Sequence, residues 1–172
     1  MSNNSTINYQ PAISNKRVEA SVTREIKSSP QKIFPLACPV EELRWIPDWE
    51  YELVYSKSGV NETFCIFNEE RLGPHFFERP LTTTWVTNIH DPENHRILFQ
   101  LNFSGKAVIQ LNFKLREVGK EVSSCFWHMT FTALDDEANA MEEASTRTKM
   151  ELGMTFLAEA LKHYCETGKM LQ

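Results

Sequence analysis

The sequence predicts an α+β domain, an antiparallel sheet of about seven strands with two short helices and one long C-terminal helix. Three observations predict it. The run Asp136–Cys165 contains no proline and is rich in Ala, Glu, Met, Leu and Lys, the residues a helix tolerates best. Before it, segments of alternating apolar and polar residues follow one another across short turns, and such short links join only antiparallel neighbours. Each segment also keeps its apolar residues on one parity, as a sheet covered on a single side requires.

Taken in order, residues 1–16 are polar and without period and read as a loose tail; residues 17–172 read as a single domain. Val18, Ala20 and Val22 alternate with Glu19, Ser21 and Thr23, a half-buried strand. Ser29-Pro30 then starts a short helix, with Ser as N-cap and Pro in the first turn. Pro39 ends it, and Glu41–Trp45 is a second helical turn closed by Pro47.

The remaining strands are predicted at Tyr51–Lys57, Thr63–Glu69, Leu81–Ile89, Arg96–Phe103, Ala107–Arg116 and Val122–Leu134. Ser58-Gly59, His90–Asn94, Ser104-Gly105 and Gly119-Lys120 supply the turns. Glu70–Pro80 is a longer, charged link. Ile97, Phe99 and Leu101 share a face, as do Ala107, Ile109, Leu111, Phe113 and Leu115, and likewise Cys125, Trp127, Met129, Phe131 and Ala133.

The last helix carries an apolar stripe at Met150, Met154, Leu157, Leu161 and Tyr164, one face at helical spacing. Projected backwards, the stripe lands on polar residues. Met141, Ala144, Ser145, Thr148 and Leu152 form a weaker stripe on nearly the opposite side. The two meet near Gly153, which costs about 1 kcal/mol against Ala in a helix. Either the helix bends or rotates there, or its first half overhangs the sheet at a cavity mouth. Glu143 and Arg147 form an i,i+4 pair in both cases.

Composition excludes several classes. Hydrophobic residues make up 41% and charged residues 24%, which is ordinary for a soluble globular domain. A net charge of -5 disfavours nucleic acid, whose phosphates need a basic surface. No segment has the apolar length to span a bilayer, and a cytoplasmic location is expected. Cys38, Cys65, Cys125 and Cys165 form no close pair and read as small buried thiols rather than zinc ligands. No nucleophile elbow or phosphate loop is present.

The stretches Ile26–Pro30 leading into Ile33–Leu36, then Trp45-Ile46-Pro47-Asp48-Trp49, Trp85-Val86-Thr87 and Thr130–Leu134 resemble the START-like helix-grip superfamily, also called SRPBCC. Within it the chain is similar to polyketide-cyclase/dehydrase-like proteins, over about residues 17–170. The resemblance implies a curved sheet gripping the C-terminal helix around a cavity that holds an apolar small molecule. The superfamily includes lipid carriers, cyclases and partner-binding proteins, so the fold leaves function open.

Aromatic residues Trp49, Phe67, Trp85, Phe99, Trp127 and Phe131 serve equally as packed core or cavity wall on sequence grounds, and the resemblance favours the wall. The expected ligand contacts are Trp49, Phe67, Trp85, Phe99, Ile109, Trp127, Met129, Met141, Thr148 and Leu152. His90, Asp91, Glu93 and His95 are of metal-ligand type, but they lie on a hairpin turn where polar residues are expected anyway. No metal or cofactor is expected. His128 falls on the wet parity, and His75 in the long link is the one plausible acid or base at a pocket rim. Glu69, Glu70, Arg71, Glu78 and Arg79 read either as a pocket rim that orients a polar head group or, the favoured reading, as surface ion pairs worth ~0–1 kcal/mol each.

The first functional expectation is a non-catalytic binder of a hydrophobic or amphipathic molecule, lipid-, sterol- or polyketide-like. The second is a cyclase- or dehydrase-like enzyme, which needs a general acid or base inside the cavity; parity offers only Tyr and Thr there. A protein-interaction module using the outer sheet face is a weaker third.

Overall fold

A computed structural model describes residues 15–69, 76, 77 and 81–171. The expectations for the N-terminal tail up to residue 14, and for Glu70, Arg71, His75, Glu78 and Arg79, lie outside them. Seven strands form one antiparallel sheet: β1 (Arg17–Ile26), β2 (Glu52–Tyr55), β3 (Ile66–Glu69), β4 (Thr83–Asp91), β5 (Arg96–Phe103), β6 (Ala107–Gly119) and β7 (Val122–Ala133). Their order is β1-β7-β6-β5-β4-β3-β2. The consecutive strands β2 to β7 thus make a meander, and β1 closes it beside β7 with Val18 opposite Phe131 and Val22 opposite Trp127.

Two short helices follow β1. Helix α1 (Pro30–Ile33) begins at Ser29 with Pro at its first position and runs into a 3-10 turn at Phe34–Leu36; α2 is Pro39–Glu42. Asn61 ties this segment to the sheet: its backbone N–H meets the Cys38 thiol, its amide donates to Ala37 O, and its carbonyl accepts from the Thr87 hydroxyl at 2.7 Å. The start of α2 is thereby held against β4.

The single long helix expected from Asp136 is two helices. Helix α3 (Asp136–Ala140) is capped by Asp135, whose carboxylate accepts from Ala138 N at 2.8 Å; α4 runs over Glu143–Thr167. Between them Met141 and Glu142 are extended, at ψ 138° and 132°. Helix propensity is a weak force, and three contacts outweigh it here. Lys16 donates its backbone N–H to Asn139 and its ammonium to Met141 O, while Ala138 is fully buried. A straight helix could not bury both Ala138 and Met150, which lie on different faces. The rotation needed to reconcile the two stripes therefore falls at Met141–Glu142. It does not fall at Gly153, through which α4 passes unbroken. Gly168, at φ 72°, ends α4 by donating to Tyr164 O at 2.8 Å.

Helix α4 packs across β1 and β7. Met150, Met154, Ala158 and Leu161 are fully buried beneath it, whereas Leu157 is only partly buried. No helix among the described residues is long and apolar enough to cross a membrane.

Candidate functional site: an aromatic cavity with an inward carboxyl

Between sheet and helix lies a cavity of about 630 Å³. Its floor comes from the inward parity of four neighbouring strands: Trp85 on β4, Phe99 on β5, Leu111 on β6, and Trp127 with Met129 on β7. Its roof is the stretch of α4 from Lys149 to Leu157, and the segment Ala37–Trp49 closes one end. Gly153 is at the centre of the roof, and a Cβ placed there meets nothing within 4 Å. The missing side chain is part of the reason space remains.

The aromatic rings brace one another. Trp85 stacks on Phe67 at 5.2 Å and meets Phe99 edge-on at 5.5 Å, while Trp127 leans on Phe113 at 4.5 Å. Trp49 is fixed by its indole N–H donating to Pro39 O at 2.8 Å. By contrast, the buried indole N–H groups of Trp85 and Trp127 have no hydrogen-bond partner among the described residues. The Cys125 thiol, beside Trp127, has its ionisation suppressed by burial.

Six of the ten expected contacts line this space: Trp49, Trp85, Phe99, Trp127, Met129 and Leu152. Four do not. Phe67 stands on β3, opposite Trp85 in register and stacked on its ring. Ile109 is fully buried opposite Phe131 and Leu101, filling core beyond the cavity. Met141 packs onto the core from the α3–α4 break, and Thr148 is exposed, its hydroxyl donating back to Ala144 O at 2.9 Å. The break explains both: rotating α4 turns the Ala144, Ser145 and Thr148 side to solvent. Thr148→Trp is accordingly expected to change stability by under about 0.5 kcal/mol and to leave uptake of an apolar dye unaltered, read by urea unfolding and fluorescence titration.

The charged residues bring the main correction. Glu42, Asp48, Glu69 and Lys149 all line the cavity, so it is not limited to Tyr and Thr. Glu69 is 2% exposed and so lies inside rather than on the surface. Its signal was present in the sequence, since Glu69 shares the inward parity of Phe67 on β3. Glu42 follows the buried Pro39 by three residues and precedes the buried Trp45 and Ile46 by three and four, which puts it on the apolar side of its turn. Glu42 lines the cavity and is half-buried as a residue. Burial, and secondly the nearby Glu69, push the Glu42 carboxyl up to about 8 from an ordinary 4.5, and no hydrogen bond to it opposes them. Both causes favour the protonated form of the Glu42 carboxyl. Lys149 donates to Phe76 O at 3.1 Å.

The histidines lie elsewhere. His90 and His95 rest against the Phe34 ring at 5.2 and 5.7 Å, and burial lowers the His90 imidazole. His128 lies on the outer sheet face, stacked on Phe126.

No protein-family model matches the chain, and no curated protein sequence does. Solved structures do. A START superfamily protein from Mycobacterium smegmatis is similar at TM-score 0.66 and 12% identity, over 86% of this chain and 97% of that one. Norcoclaurine synthase from Thalictrum flavum is similar at TM-score 0.67 and 14% identity, over 90% and 98%. The ZhuI aromatase/cyclase from a Streptomyces species is similar at 0.62 and 10%, over 88% and 94%. At these identities the likeness concerns the fold, and the fold is the START-like helix-grip fold.

Proposed function

We propose that residues 17–172 form one ligand-binding domain whose cavity holds a hydrophobic or amphipathic small molecule. The carrying observation is a cavity of about 630 Å³ walled by Trp49, Phe76, Trp85, Phe99 and Trp127, within the ~300–1,000 Å³ usual for small-molecule sites. Each 100 Å² of apolar ligand surface buried there contributes about 2.5 kcal/mol before ordering costs. The fold neighbours support this reading, because they include a cyclase and a synthase that act on small molecules by name.

Gly153 supplies the test. Gly153→Leu removes a helix-interior glycine, so the fold is expected to gain up to about 1 kcal/mol while the new side chain occupies the cavity. Titration with an apolar dye, together with melting temperature, should show loss of binding in a protein at least as stable as the parent. A variant that binds like the parent would put the ligand elsewhere. Native mass spectrometry of the purified protein then identifies any co-purifying molecule.

The inward carboxyls favour a second reading, acid–base catalysis in the same cavity. A carboxylic acid that keeps its proton at neutral pH beside a second carboxyl is the arrangement a general acid needs. Turnover of the co-purifying molecule, abolished in Glu42→Gln, would select this reading over simple binding.

A further inference from the structure

Every wall of the cavity but one end is hydrocarbon. The polar groups gather where α2 meets β3: Glu42, Glu69 and Asp48, with Lys149 reaching in from the roof. A ligand's polar end must meet this cluster or bury itself against carbon at a cost of several kcal/mol. What the cluster offers decides which polar end is accepted.

Asp48 and Glu69 bring carboxylates to this end, and Lys149 and Glu42 bring the groups able to donate. The Lys149 ammonium already serves Phe76 O and has further N–H bonds to give. The Glu42 carboxyl, which faces the cavity without a hydrogen bond, is a donor for as long as it keeps its proton. From the structure, resting on the reading of this cavity as an apolar-ligand site, we infer that the ligand carries a neutral hydrogen-bond acceptor, a carbonyl-type oxygen, that receives the Glu42 O–H.

The surroundings of Glu42 keep that proton in place. Glu69 faces it from β3, and Tyr51, Cys38 and Cys65 stand close, the tyrosine hydroxyl itself held in its neutral form chiefly by burial. Asp48 follows on the adjoining loop and Lys149 faces the space from α4. On α2 itself the neighbouring Glu41 is taken by Arg44 at 2.7 Å, on the outer side. Burial and the Glu69 carboxyl both oppose a negative charge on Glu42. An acceptor oxygen opposes it further, because a carbonyl beside a carboxylate has lone pairs facing lone pairs. Binding of the acceptor and ionisation of Glu42 therefore exclude one another.

Three probes of one shape separate the possibilities: 2-acetylnaphthalene with a ketone, 2-ethylnaphthalene without it, and 1-(2-naphthyl)ethylamine with a cation. Each is titrated calorimetrically into the intact protein at pH 6.5 and 9.5. At pH 6.5 the ketone is expected to bind about tenfold tighter than the hydrocarbon, the worth of one hydrogen bond, and at pH 9.5 that advantage disappears. Glu42→Leu abolishes it at both pH values. Glu42→Gln, which keeps N–H donors but has no titrating proton, removes the pH dependence; its melting temperature checks the fold. Equal binding of ketone and hydrocarbon at pH 6.5 overturns the inference while the cavity reading stands. Preference for the amine over the ketone at pH 6.5, where the amine is a cation, also overturns it, because Glu42 then serves as an anion. If none of the three binds, the cavity reading and this inference fall together.

Discussion

Leu161→Ala is expected to lower the free energy of unfolding by about 2–5 kcal/mol, the range for deleting a fully buried leucine and leaving a cavity behind. Leu161 is 0% exposed, and it lies on α4 where that helix grips β1 and β7. Nothing nearby is free to collapse into the gap, since the sheet beneath is held by continuous ladders from β1 to β6. Leu157 makes the comparison. One turn earlier on the same stripe, it faces the cavity and is only partly buried, so truncating it enlarges a space that already exists. Urea unfolding of both variants should show the larger loss at Leu161. A loss below about half a kcal/mol there would mean that α4 is not anchored by this stripe.

Raising the pH from 6 to 9 is expected to reduce the stability of the parent protein by about 2 kcal/mol more than that of Glu42→Gln. The folded carboxyl is pushed up to about 8 from an ordinary 4.5, first by burial and then by Glu69. Below 4.5 the group is protonated in both states and contributes nothing. Between 4.5 and 8 the unfolded chain releases the proton and the folded protein keeps it. The folded state then binds more protons, and stability falls with rising pH until the folded carboxyl also ionises. Other groups titrate in or near this window: burial lowers His90 and raises Cys165 to about 11. They are common to both proteins and cancel in the difference. Melting curves at pH 6 and 9 measure it. Parallel curves for the two proteins would place the Glu42 carboxyl in contact with bulk water.

Much of the fold was legible because it rests on local pattern. Side-chain period two recurs in β5, β6 and β7, and their turns permit only hairpins, so the meander and the inward identity of Trp85, Phe99, Trp127 and Met129 followed. The Met150–Leu161 stripe likewise named the face of α4 that meets the sheet. The cavity's carboxyls were legible in principle. Glu69 keeps the parity of Phe67, and Glu42 keeps the spacing of Pro39, Trp45 and Ile46, but a charged residue near a charged link reads by default as solvated.

Three features were decided only by tertiary structure. The pairing of β1 with β7 joins residues 97 to 115 positions apart, and no local pattern encodes it. The break at Met141–Glu142 contradicts a run of strong helix formers, because Lys16 and the burial of Ala138 outweigh a propensity of a few tenths of a kcal/mol per residue. That rotation turns Thr148 to solvent and Gly153 to the cavity, the reverse of what a straight helix implies. The upward shift of the Glu42 carboxyl is the third: its residue type allows either charge state, and only burial in the folded chain, with Glu69 nearby, raises it.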